Sequence, residues 1–379
     1  MTQFSLPSAQ TTNVTLPDWM VGRITPELFD AASNEPDRPA DDLLDLLKAH
    51  NIHGHDVVDG VERLAAKGEP AAVAFMEQVT TVPDWVDWEL IAEGRRAWIA
   101  HMPFAAVAAI NTHLLASYLS GRASHTLIAT GRLRSDAWTR VVGESLTLLR
   151  DMTATDDALR PGSQGWRTLL MVRILHARVG RWASERAERP AQWGRAISVL
   201  ELAFARVFFT AALFRAADNL GLGLTTREQD AINHMWRWAD HLLGGHAAFA
   251  TENAKQEQEL YDLVLQIELG SAGDDGPALA EALLAAVSDH TRIPRTLIDC
   301  WAHMAVGPEI AGNLRIAQPA PALMAPMRLA SKAVFTAADV AYRLTPFLRP
   351  ARARLGTHLL TRMVSPTWGF EFKTVRARE

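Results

Sequence analysis

Apolar residues recur at helical spacing along most of this chain, and three segments show the pattern most clearly. Leu169, Val172, His176 and Val179 fall at i, i+3, i+7 and i+10, one face of a helix predicted over 166–182. A second helix is predicted over 198–220, where Ser198 with Glu201 three residues on forms a capping-box signature and Gly221 marks the end. Between Leu202 and Phe214 its only polar residues are Arg206 and Thr210. A helix apolar nearly all round is buried on nearly all sides, so Arg206 needs an anion. Thr225 and Glu228 open a third helix, predicted over 226–243 and stopped by Gly244-Gly245. His234 and His241 lie two turns apart on one face of it.

The remaining pattern sets the organisation. Breaks are expected at 154–165, 188–195, 221–225 and 270–277, with short helices over 39–82. Residues 1–38 are polar and Pro-bearing and read as an arm on the surface. The Pro- and Ala-rich stretch 316–327 leads into a tail. This gives an N-terminal arm (1–38), a helical domain (39–318) and a basic helical tail packing on it (319–379). Many Ala and Leu against three Tyr favour helix over sheet, so the fold class is all-α. The longest apolar runs, 102–119 and 197–214, are interrupted by Asn111, Thr112 and His113 and by Glu201, Arg206 and Thr210. A membrane span needs about 20 largely uncharged residues, so these runs read as buried core helices.

Composition narrows the chemistry. Hydrophobic residues make up 48% of the 379, enough for a full core. Cys300 is the only cysteine, which excludes an internal disulfide and a Cys-rich zinc or iron–sulfur site. With no basic and apolar leader at the N-terminus, a cytoplasmic location is expected. The formal charge of −5 is uneven. Residues 320–379 carry ten Lys/Arg, including Arg328, Lys332, Arg343, Arg349, Lys373 and Arg376, against three acidic residues, a local +7 with −12 elsewhere. That tail is either a solvated basic face or a contact for an anionic membrane surface. No Gly-rich phosphate loop, G-x-S-x-G elbow or H-E-x-x-H is present, and no nucleic-acid reader fold accompanies the basic tail.

Three motifs carry a resemblance. Val172-Arg173-Ile174-Leu175-His176-Ala177-Arg178-Val179 resembles the R-L-x-H-A-x-V-R stretch of latex-clearing proteins (rubber oxygenases) and MpaB-type oxygenases. His234-Met235-Trp236 through His241-Leu242-Leu243-Gly244 resembles their H-x-W … H-L-L-G helix, and Pro83-Asp84-Trp85-Val86-Asp87 their P-x-W-x-D opening. The likeness covers roughly residues 80–320. It implies a globin-like helical core with additional helices, a b-type haem (heme b), and oxidoreductase chemistry that uses dioxygen on an apolar small molecule of isoprenoid or terpenoid type. Two positions depart from the family. Val207 stands where its axial histidine lies, and Met171 where latex-clearing proteins carry a catalytic lysine.

The candidate site residues follow, each with an alternative. His176 is the expected iron ligand, or else a core histidine bonded to a neighbouring helix. His234 and His241 are reserve cofactor ligands, though about 10 Å apart along the axis and so too far to chelate one ion; Asp230 with His234 has the closer i, i+4 spacing. Arg206 and Arg173 suit haem propionates or a substrate carboxylate, with Arg173 also read as catalytic; ion pairs with neighbouring helices are the alternative. Glu144 is a candidate base or simply an anion for one of these arginines. A different class stays open beside the enzyme: a non-catalytic helical protein that binds a hydrophobic ligand.

Overall fold

A computed structural model describes residues 3–4, 14–131, 135–186 and 188–363; side chains within 102–111 and 135–142 and at 55, 192, 290 and 346 are not described. The all-α expectation holds. The sole sheet among the described residues pairs β1 (Gln3–Phe4) with β2 (Val14–Thr15). Helices α1 (Pro26–Asn34), α2 (Arg38–Ala49), α3 (Val57–Ala66) and α4 (Pro70–Thr80) precede the 30-residue α5 (Trp88–Ser117). Then come α6 (Gly121–Ala129), α7 (Ser135–Met152), α8 (Gln164–Arg186), α9 (Val199–Phe209), α10 (Ala211–Leu220) and α11 (Thr226–Leu242). The chain closes with α12 (Ala254–Glu268), α13 (Asp275–Thr291), α14 (Arg295–Asn313), α15 (Pro321–Leu344) and α16 (Arg349–Met363).

The long α5 is the axis of the body, packed by α9, α10, α11, α14 and α16. Two of these contacts run backbone to backbone. A Cβ at Gly94 would lie 2.1 Å from the carbonyl oxygen of Ala231 on α11, and one at Gly356 of α16 would lie 2.1 Å from that of Ile99. Residues 14–38 were expected on the surface, yet they send Met20, Ile24 and Phe29 into the core. Phe29 packs at 6.1 Å from Phe204 and 6.4 Å from Phe249.

The helix predicted over 198–220 is broken. Thr210 (φ −118°, ψ −85°) separates α9 from α10. Its hydroxyl lies 3.0 Å from the Arg206 carbonyl and 2.5 Å from Glu257 Oε1, so a side chain competes with the backbone ladder. The third helix starts as predicted, with both capping-box bonds: Glu228 N–H donates to Thr225 Oγ1 at 3.2 Å, and Thr225 N–H to Glu228 Oε2 at 2.9 Å. Replacing Thr225 with Ala is expected to cost about 1 kcal/mol in urea unfolding, and Gly only a few tenths. Equal midpoints for wild type and Thr225→Ala would remove the cap from the account. Among the described residues no helix is long and apolar enough to cross a membrane. Tail residues Lys373, Arg376 and Arg378 lie outside the described residues.

Candidate functional site

The motifs that carried the resemblance meet in space, and their first role is mechanical. Asp87 caps α5, its Oδ1 accepting from the N–H groups of Glu89 (2.9 Å) and Leu90 (3.1 Å). The Asp87 N–H donates to His234 Nε2 at 3.0 Å. Trp85 stands edge-on to His234 at 5.7 Å and has the Arg237 guanidinium 4.1 Å above its ring. His241 stacks on Trp238 at 5.3 Å. The Pro83–Asp87 turn is thus docked on one face of α11. His234, expected as a reserve cofactor ligand, spends its Nε2 lone pair on that joint. Burial first, then Arg237, pushes its pKa down, which keeps the ring neutral and accepting.

Arg173 is equally committed. It is buried on α8 and forks onto Asp37 at 2.6 and 2.7 Å, with further bonds to Gln78 Oε1 (2.7 Å) and the Leu242 carbonyl (3.4 Å). Asp37 is therefore the anion that the sequence left unnamed. The catalytic role expected for Arg173 gives way to a joint between α8 and the N-terminal segment. Gly244, at φ +87°, leaves the room: a Cβ there would stand 2.5 Å from Asp37 Oδ2 and 3.0 Å from Arg173 Nε.

Arg206 also finds its anions inside the protein. Its Nε and Nη2 reach Glu257 at 3.1 and 2.9 Å, Nη1 reaches Asp240 at 3.1 Å, and Nη2 the Phe249 carbonyl at 3.1 Å. Thr251 donates to Glu257 at 2.7 Å. One cation thus faces two buried carboxylates. Burial, only partly offset by Arg206, raises Asp240 to about 6. Neither Arg206 nor Arg173 has a guanidinium free for a propionate.

His176 and Glu144 are half-buried, on α8 and α7, two helices that pack together. Asp230, paired with His234 by spacing, accepts from the Ala254 N–H at 2.8 Å. Among the described residues no three His, Cys, Asp or Glu converge as a metal site. Val207, where the resemblance would put an axial histidine, is fully buried and has no donor atom.

One turn of α9 does, however, meet a histidine that was passed over. His113 of α5 is buried and lies 2.6 Å through Nδ1 from the Phe208 carbonyl, one residue beyond Val207. A carbonyl only accepts, so Nδ1 carries the proton and Nε2 carries the lone pair. Nε2 has no hydrogen-bond partner among the described residues. Burial drives the pKa down to about 4 against the raising effect of the Phe208 bond, so the ring is neutral. It stacks on Phe209 at 5.0 Å, which stacks on Trp236 at 4.9 Å. A neutral imidazole fixed through Nδ1, with Nε2 uncommitted in apolar surroundings, is the donor a haem iron takes. The available signal was a lone imidazole within the apolar run 102–119.

A cleft of about 650 Å³ elsewhere, between α5 and α16, mixes charged Arg96, Asp156, Glu228 and Arg354 with apolar Ala97, Ala100 and Ala353.

Comparison with known proteins agrees with the fold. The family described as ER-bound oxygenase mpaB/B'/rubber oxygenase, catalytic domain, matches residues 96–365. A solved structure of latex clearing protein in the closed state is similar with a TM-score of 0.64, covering 86% of this chain and 91% of that one at 18% identity. No curated protein matches the chain.

Proposed function

The chain belongs to the ER-bound oxygenase mpaB/B'/rubber oxygenase family, an oxygenase and so an oxidoreductase, and from that premise we propose that it is haem-dependent and acts with dioxygen on an apolar substrate of isoprenoid type. The observation that carries the reading is the uncommitted, buried Nε2 of His113 beside the turn of Val207. His113, rather than the expected His176, is the proposed iron ligand. The family's histidine on α9 is replaced by one reaching the same turn from α5.

When bound, the haem supplies the iron that activates dioxygen. The chain's own residues do the rest. The Phe208 carbonyl fixes the His113 tautomer and ring orientation, as a carbonyl does for a ligating histidine. Phe209 stacks on its ring and Trp236 on Phe209, an apolar neighbourhood that favours a hydrocarbon over a charged substrate.

Titrating hemin into the full-length protein tests this. Wild type is expected to develop a Soret band, His113→Ala to lose or strongly shift it, and His176→Ala to keep it. Adding free imidazole to His113→Ala is expected to restore the band, which separates ligand loss from misfolding. A wild type without any Soret band ends the haem reading. A wild-type spectrum in His113→Ala moves the ligand to His241 or His176.

A further inference from the structure

Ten large apolar side chains are exposed among the described residues, and seven fall within 329–355, led by Phe347 (76% exposed), Leu344 (74%) and Leu329 (73%). This is a pattern, not a scatter. α15 turns Ser331, Phe335 and Tyr342 into the body. Its opposite face carries Pro326, Leu329, Ala333, Ala337, Val340 and Leu344, spaced three or four apart and all exposed. No charged residue interrupts that face. From Pro326 to Leu344 it runs about 27 Å at 1.5 Å per residue, and Phe347 and Leu348 extend it toward α16.

The charges lie along its border. Exposed Arg328 and Lys332 and half-exposed Arg343 flank the apolar strip on one side, whereas Arg349 and Arg354 of α16 line the cleft beside α5, Arg349 over the Tyr342 ring at 5.2 Å. Asp339 is the only acidic residue on α15 and α16, and Arg343 pairs with it at 2.8 Å. An apolar strip with a cationic border is the arrangement of a helix lying in the plane of a bilayer surface. A spanning orientation is excluded for α15, whose inner face packs on α10 and α14. A symmetric contact between two copies would bring two cationic borders together, which like-charge repulsion opposes.

We propose that α15 and the turn into α16 dock this oxygenase on an anionic bilayer, the apolar face entering the boundary between headgroups and acyl chains and Arg328 and Lys332 meeting lipid phosphates. The inference stands on exposure, periodicity and charge, and it does not depend on the haem. It puts the enzyme at the phase where an apolar substrate accumulates.

The test is flotation of the full-length protein with vesicles of phosphatidylcholine alone or with 30% phosphatidylglycerol. Binding is expected to the anionic vesicles, weakening several-fold from 50 to 500 mM NaCl as exposed charge is screened. Leu344→Asp/Phe347→Asp is expected to weaken it at least tenfold, and Arg328→Glu/Lys332→Glu to remove the preference for phosphatidylglycerol. Far-UV circular dichroism and Tm should not change, since these side chains are exposed. No flotation, or equal flotation of Leu344→Asp/Phe347→Asp, overturns the proposal. So does a wild-type dimer in light scattering that Leu344→Asp/Phe347→Asp dissociates, because a second copy then covers the face.

Discussion

Arg206→Met is expected to destabilise the protein by about 3–5 kcal/mol at pH 8, the largest loss from any single side chain described above. The methionine keeps most of the volume, so the loss is electrostatic. It leaves Asp240 and Glu257 buried together without their cation. The pH dependence has a definite sign. Asp240 is raised from 3.8 to about 6 in the folded protein, so its ionised form already opposes folding. That contribution to stability is present in full below about pH 4 and is lost as pH rises through 6. Without Arg206 the folded value rises further, so the deficit of the variant is largest above pH 6 and shrinks toward pH 5. Adding Asp240→Asn and Glu257→Gln to Arg206→Met is expected to recover much of the stability, because a neutral cluster needs no counter-ion. Urea midpoints at pH 5 and pH 8 measure all three effects. A deficit that is the same at both pH values would mean that packing, not charge, is what Arg206 supplies.

Gly94→Ala is expected to cost about 3 kcal/mol despite replacing glycine within a helix. Ala is ordinarily favoured there by about 1 kcal/mol. At position 94 the added Cβ meets the Ala231 oxygen at 2.1 Å, the Ala231 carbon at 2.5 Å and the Ile232 nitrogen at 2.9 Å. These are backbone atoms of α11 and have no rotamer to change, so α5 and α11 must separate along a dry interface. Gly312→Ala is the control, since a Cβ there meets nothing within 4 Å. It is expected to be neutral or stabilising by up to about 1 kcal/mol. If both variants unfold at the same urea concentration, the close approach of α5 to α11 is not real.

What the sequence made legible was whatever depends on near neighbours. The Thr225–Glu228 capping box involves residues a few positions apart and formed as read; α8 also formed where periodicity placed it, but it buries Trp166, Leu169, Leu170, Arg173, Ile174 and Ala177, leaving Val172, His176 and Val179 of the expected stripe half-buried. The break at Thr210 could not be read that way. It depends on Glu257, 47 residues downstream, which draws the hydroxyl away from an otherwise unbroken helical pattern. Arg206 and Arg173 are intermediate cases. Burial demanded an anion for each, but only the fold brought Glu257 and Asp240 to one and Asp37, 136 residues upstream, to the other. The proposed iron ligand depends on the fold in the same way. His176 shared a helical face with apolar residues and carried a motif, so pattern alone favoured it. His113 gained its tautomer and its uncommitted nitrogen from a carbonyl 95 residues away.

The docked turn at Asp87 bears on how such a scaffold can change its chemistry. The motif residues Trp85, Asp87, His234, Arg173 and Gly244 are joints whose loss would loosen the body. Val207 and Met171 sit between those joints and contribute no side-chain bond to them. Substitutions at such uncoupled positions leave the joints' free energies nearly untouched. Substitutions at Val207 and Met171 are therefore expected to alter what chemistry the scaffold can hold while its assembly stays intact. Kinship in this architecture is inherited through the frame, and reactivity can drift within it.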